Sequence, residues 1–212
     1  MLVTLPVYAE KDKKGKLHLW LTDNTHIVDI GPVSGEGDAA ASSLLYKSGT
    51  GEDKKEELIA LYEKKKGVEE TSHGMVSVLL AEQLQRVKEV LATWKEVDKR
   101  VSQLCATLLA QKDPSTGDVC SAAVKITDGL VGFLSGNFSD GTWMDEYLGV
   151  NATVKKKDGV ATKENGVTFK ERGAWAEWPV GKQGENQLYH FANYKFTLVA
   201  TVSIDGEPEG NI

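Results

Sequence analysis

The run SHGMVSVLLAEQLQRVKEVLATWKEVDKRVSQLCATLLAQ, residues 72–111, decides how the chain is read. Leu80, Leu84, Val87, Leu91, Trp94, Val101, Cys105 and Leu108 recur at alternating steps of four and three, broken only at Asp98. Val90, Val97 and Leu104 add a second line seven residues apart. This pattern predicts an amphipathic helix with a broad apolar stripe. A helix over all of 72–111 measures roughly 60 Å, and most of such a stripe needs cover.

The neighbouring segments extend the helical reading. EDKKEELIALYEKKKG, residues 52–67, has acids first, a stripe of Leu58, Ile59, Leu61 and Tyr62, then lysines and Gly67. That order complements a helix dipole and ends in a C-terminal cap. After the turn-rich KDPSTGD, residues 118–135 carry Val119, Ala123, Ile126, Leu130, Val131 and Leu134. They are expected to form another helix that folds back on the long one as a hairpin.

Both ends of the chain read as β. VTLPVYA (3–9) and LHLWL (17–21) flank a Gly-containing turn, and HIVDI (26–30) follows as a third strand. Residues 31–52, rich in Gly, Ser and Ala, read as a long loop with a helical turn at AAASSLLY. Asp158-Gly159 and Asn165-Gly166 are hairpin-turn dipeptides, and RGAWAEWPV (172–180) is a further strand candidate. LYHFANYKFTLVATVSIDG, residues 188–206, alternates Ala192, Tyr194, Phe196, Leu198, Ala200, Val202 and Ile204 with polar residues. It reads as one strand of about 55 Å.

The expected fold class is therefore α+β, with N- and C-terminal strands in one antiparallel sheet and a central long-helix hairpin inserted. Three regions make one composite domain. They are a β segment with its loop (1–52), a helical region (53–136) and a C-terminal β region (137–212).

Composition narrows function. Of 212 residues, 41% are hydrophobic and 26% charged, as in a globular protein. The net charge of −6 disfavours prolonged contact with phosphate backbones, so nucleic acid is not the expected ligand. No apolar window reaches the ~18 residues of a membrane helix, and MLVTLPVYAEKDKKGK lacks the positive start of a signal peptide. A soluble chain, intracellular at synthesis, is expected. Cys105 and Cys120 match no metal or disulfide framework and read as buried thiols. Asn137-Phe138-Ser139 and Asn151-Ala152-Thr153 fit the glycosylation pattern, but without a leader they carry no weight at this stage.

No catalytic, cofactor or metal site is expected. GEGDAA (35–40) matches a dinucleotide glycine pattern, but Glu36 and Asp38 would repel a pyrophosphate. His18, His26, His73 and His190 form no ligand motif, although His18 and His26 can converge across a hairpin. Asp140, Asp145 and Glu146 beside Trp143 and Tyr147 resemble a glycosidase pair no more than a helix end with an aromatic anchor. The lysine groups 11–16, 64–66 and 155–157 read as solvated tips.

Long elements that overshoot a 23 kDa core suggest contacts with other copies. The leading expectation is a non-catalytic, self-assembling subunit of a shell, tube, filament or virion. Its partners would be itself and other assembly proteins. Trp175, Trp178, Tyr194, Phe196, Leu198, Leu84, Val87, Leu91 and Trp94 are its candidate interaction residues. The alternative is a monomeric or small-oligomer binding or adaptor module that presents a Trp-bearing sheet to a protein or carbohydrate.

Overall fold

A computed structural model describes residues 1–8, 15–35, 39–49, 55–64, 74–110, 126–155, 159–170, 172–182 and 187–204. In the α-helix found among the described residues, side chains are described as far as Leu104. The described residues are mostly β-sheet. The N-terminal strands are β1 (Leu2–Tyr8), β2 (Gly15–Thr22), β3 (Ile27–Pro32), β4 (Ala39–Lys47), β5 (Glu57–Lys64) and β6 (Gly74–Leu79). The helix α1 (Ala81–Ala110) comes next. After it come β7 (Leu134–Ser139), β8 (Thr142–Asp145), β9 (Ala152–Lys155), β10 (Val160–Lys163), β11 (Gly166–Phe169) and β12 (Trp175–Glu177).

The strands form four antiparallel groups, β1-β2-β3, β4-β5-β6, β12-β9-β8-β7 and the hairpin β10-β11. This corrects the expected α+β class with a central helix hairpin. The N- and C-terminal strands share no sheet, and α1 stands alone among the described residues. Of the second helix expected at 118–135, residues 118–125 lie outside the described set. Residues 126–133 are turn and irregular chain, and 134–139 are strand β7.

Two helix readings fail for one physical reason. Strand β5 buries Leu58, Ala60 and Tyr62 on one face, and it carries Ile59 and Leu61 on the other. A strand apolar on both faces imitates a helical stripe. β6 likewise alternates Met75, Ser77 and Leu79 outward with Val76 and Val78 inward, pairing Val78 with Ala60 and Val76 with Tyr62. The long helix therefore starts at Ala81, not near residue 72. Leu80 closes the strand region. Its N–H donates to the Leu58 carbonyl at 2.8 Å, and its own carbonyl accepts the first helical hydrogen bond from Leu84 at 2.9 Å.

The helix faces inward with Val87, Val90, Trp94, Val97 and Val101, all buried. They pack with Leu17, Leu19, Leu21, Val28 and Ile30 of the first sheet, Leu58, Ala60 and Tyr62 of the second, and Tyr147. As far as Val101 the stripe is thus covered within the chain. Leu91 and Leu104, at 39% and 43% exposure, mark its flanks.

The long strand expected at 188–206 is also corrected. Gln187–Asn193 form a 3-10 turn kinked at Tyr189. Tyr194–Ile204 run as exposed irregular chain whose alternation meets no partner strand among the described residues. Period-two writing is only half of a strand, because the backbone groups also need a ladder.

Candidate functional site

β4 lies beside β1, and between them opens a cleft of about 350 Å³. Thr4, Pro6 and Tyr8 of β1, Leu17 of β2 and Ala39–Ser42 of β4 line it. The Thr4 and Ser42 hydroxyls meet across it at 2.7 Å. Tyr8 is 61% exposed, and its ring rests on Gly15, the residue paired with it in β2. A Cβ at Gly15 would come within 3.0 Å of both the Tyr8 ring and Pro6.

The floor of the cleft is irregular. β4 slips register against β5 between Ala40 and Ser42, which leaves Ala41 as the extra residue of a bulge. Ala41 has φ +25°, outside the ordinary range of a side-chain-bearing residue. Bulges and strained φ concentrate at places where a strand must present atoms to a ligand. Hydroxyls, small side chains and one exposed phenol ring suit a polyhydroxylated ligand, which offers donors and acceptors above and apolar C–H faces between them.

A second cluster joins the two halves of the chain. His26, buried in the turn after β2, stacks on Tyr147 with ring centroids 4.2 Å apart and tilts against Trp94 at 5.2 Å. Its Nδ1 lies 3.0 Å from Asp23 Oδ2. Burial pushes the Asp23 carboxyl up, but hydrogen bonds from the His26 amide, the His26 ring and the Thr25 amide outweigh it and hold the group below its usual range. Burial, and then the hydrogen bond to Asp98, raises the Tyr147 phenol well above its ordinary value.

Asp145, which the sequence does not single out as one of a carboxylate pair, is 1% exposed. Its Oδ1 accepts the Phe133 N–H at 2.6 Å, and Oδ2 accepts those of Gly149 and Val150 at 3.0 and 3.1 Å. Burial nevertheless holds its carboxyl above the usual carboxylate pKa range. Glu146 points elsewhere, to Arg100 at 3.2 Å and to the Ser135 hydroxyl. The two carboxyls organise separate backbone regions. Asp140 sits in the β7–β8 turn with φ +50°.

The other predicted residues are dispersed. Leu84, Val87 and Trp94 belong to the helix–sheet core, and Leu91 lies on its exposed flank. Trp175 is 51% exposed on β12, while Trp178 is half-buried and donates its indole N–H to the Val150 carbonyl. Tyr194, Phe196 and Leu198 are exposed in the final irregular segment. His18 and His26 do not converge, since His18 meets Asp29 of β3 at 2.8 Å. His190 is half-buried in the 3-10 turn. His73, Cys120 and residues 36–38 of GEGDAA lie outside the described residues, as does the side chain of Cys105. Local sequence gave little notice of the cleft. Its one signal was the run of small residues Ala39–Ser43, which reads equally well as loop.

The chain is similar to trypanosomal sialidases. A mutant of Trypanosoma rangeli sialidase displaying trans-sialidase activity superposes with a TM-score of 0.69 at 37% identity, over 92% of this chain and 28% of that one. Trypanosoma rangeli sialidase in complex with sialic acid superposes with a TM-score of 0.67 at 33% identity, over 99% of this chain and 33% of that one. A sialidase of Trypanosoma cruzi is 31% identical over 98% of this chain and 17% of its own length. Sialidase 85-1.1 of the same organism is 32% identical over 100% of this chain and 24% of its own length. The chain therefore spans about a quarter or less of these two relatives. Residues 1–63 match a BNR repeat-like domain, and residues 126–212 match the trans-sialidase C-terminal domain.

These likenesses fit the mostly-β architecture to a sialidase-like β-propeller and lectin-like fold. They overturn the expectation of a self-assembling shell, tube, filament, capsid or virion component. They also overturn the expectation of a non-catalytic protein, because the matched proteins are carbohydrate-processing sialidases. Of the two readings of the sequence, the carbohydrate-directed alternative fits better.

Proposed function

We propose that this chain works as part of a sialidase-type carbohydrate-processing protein, and that the β1–β4 cleft receives a sialylated glycan. The observation that carries the reading is the 37% identity and TM-score of 0.69 to a trans-sialidase-active sialidase over 92% of the chain. The cleft supports it with the Thr4–Ser42 hydroxyl pair, the Tyr8 ring and the bulge at Ala41. The hydroxyls exchange hydrogen bonds with sugar hydroxyls, and the ring offers a stacking face.

A second site is favoured by the exposure of Trp175, on the outer strand of the C-terminal sheet. There an exposed indole, hydrogen-bonded to the Glu177 carboxylate, offers a sugar face, as in a lectin-like contact.

The test is calorimetric titration of the protein with 3′-sialyllactose, run beside assays for release of sialic acid and for its transfer to lactose. Release or transfer supports the processing reading. Binding without turnover, lost in Trp175→Ala and retained in Tyr8→Ala, moves the function to the C-terminal sheet. Absence of both binding and turnover overturns the proposal.

A further inference from the structure

We propose that Asn137 is an attachment site for an N-linked oligosaccharide. Asn137-Phe138-Ser139 satisfies the acceptor pattern, with no proline at the middle position. The structure adds what the pattern alone lacks. Asn137 and Ser139 are both exposed and share one face of β7, while Phe138 between them is half-buried and pairs in register with Trp143. The acceptor amide and the hydroxyl two residues on therefore face solvent together.

The site sits beside a tight hairpin. Asp140 and Gly141 both have positive φ, +50° and +77°, between Ser139 and its partner Thr142. This is the backbone of a two-residue primed turn, which projects from the sheet. β7 is one of the two outer strands of its four-stranded sheet, and the β10–β11 hairpin packs against it.

The reaction balances simply. The Asn137 side-chain nitrogen forms a bond to C1 of the first sugar. The bond from C1 to the pyrophosphate oxygen of a polyprenyl-linked oligosaccharide donor breaks. The amide loses one proton, and the lipid pyrophosphate leaves. The second acceptor pattern, at Asn151, makes a useful contrast. Its Oδ1 accepts the Asp145 N–H at 2.8 Å, and its backbone carbonyl accepts the Tyr189 hydroxyl at 2.8 Å. Substitution there would disturb the loop as well as the modification, whereas substitution at Asn137 would not.

The experiment translates the full chain behind a cleavable secretion leader in the presence of microsomes. Only the membrane-protected fraction is analysed, by site-resolved peptide mass after enzymatic glycan release. The expected result is conversion of Asn137 to aspartate on release. Asn137→Gln and Ser139→Ala should each lose one glycan-sized step in mass, and Ser139→Thr should retain it. A protected chain whose Asn137 peptide is unmodified overturns the proposal, whatever the state of Asn151.

Discussion

The Trp94 indole N–H donates to the Tyr147 carbonyl at 2.9 Å across 53 residues of sequence, and the Tyr147 hydroxyl makes a second tie to the same helix, donating to Asp98, four residues beyond Trp94, at 2.7 Å. With His26 stacked on the Tyr147 ring, this pair links the first sheet, the helix and the loop before β9. Trp94→Phe keeps most of the packing but leaves a buried carbonyl unmatched, which costs about 1–3 kcal/mol. Tyr147→Phe removes one hydroxyl and costs about 0.5–1.5 kcal/mol. Urea unfolding followed by tryptophan fluorescence and by far-UV circular dichroism should show coincident loss of the two signals in the wild type. In Trp94→Ala the two transitions should separate. Coincident transitions in that variant would show that the joint does not couple the halves.

The amphipathic core of α1 was legible in the sequence, because Val87, Val90, Trp94, Val97 and Val101 repeat at three and four. The hairpin of β1 with β2, and β3 beside it, was equally plain from alternation around turn residues. The strands β5 and β6 were not, since apolar residues on both faces of β5 erase the period of two. The error at 188–204 ran the other way: alternation was present, but nothing in a single segment reports whether a partner strand stands beside it. The β7–β8 turn carried its signal openly as Asp140-Gly141, a strong hairpin dipeptide. The cleft needed β1 and β4 to be adjacent. The joint needed His26, Trp94 and Tyr147 to meet across the chain. Neither meeting has a local signature.

Two glycines are required by contact rather than by backbone angle. A Cβ at Gly132 would overlap the Val150 side chain beside Asp145, and one at Gly136 would meet the Lys163 and Glu164 carbonyls at 2.6 and 2.5 Å. Gly132→Ala should cost about 1–3 kcal/mol through overpacking, and Val150→Ala in the same chain should recover part of that loss. Gly136→Ala faces rigid backbone and should not be rescued in this way. A double-mutant cycle measured by denaturant unfolding checks both. Strict additivity at 132 and 150 would contradict the contact.

Asp145 and Asp23 should shape acid stability with opposite signs. The native Asp145 carboxyl is raised, first by burial, so the native state holds more protons than the unfolded state between the ordinary aspartate value and the raised one. Its stabilising contribution is full below the unfolded value and is lost as pH rises through the native value. Asp23 is lowered once its hydrogen bonds offset burial, so its contribution is present above the unfolded value and is lost as pH falls through the native one. Asp145→Asn cannot match donors at both oxygens, because its amide nitrogen would face N–H groups, and it should lose about 1–3 kcal/mol near neutral pH. The cost relative to wild type should grow as pH falls toward 4, since protonated Asp145 stabilises only the wild type. Unfolding free energies at pH 4, 5.5 and 7 for both proteins decide it, and a cost that shrinks on acidification would reverse the assignment.

The cleft predicts a separation of binding from stability. Tyr8 is 61% exposed, so Tyr8→Ala should change unfolding free energy by less than about 1 kcal/mol, near the range of surface substitutions. If the ring is a wall of the glycan site, the same substitution should weaken 3′-sialyllactose binding by roughly tenfold, equivalent to about 1.4 kcal/mol. Ala41→Gly offers the converse test. Glycine adopts positive φ without the Cβ penalty, so stability should hold or rise by up to about 1 kcal/mol, the relief of strain offset in part by unfolded-chain entropy. A smoother bulge should still bind, because the Thr4 and Ser42 hydroxyls remain in place. Thr4→Val with Ser42→Ala should then remove binding from that background while both melting curves stay cooperative. Undiminished affinity in Tyr8→Ala and in the hydroxyl double variant would place the glycan elsewhere on the chain.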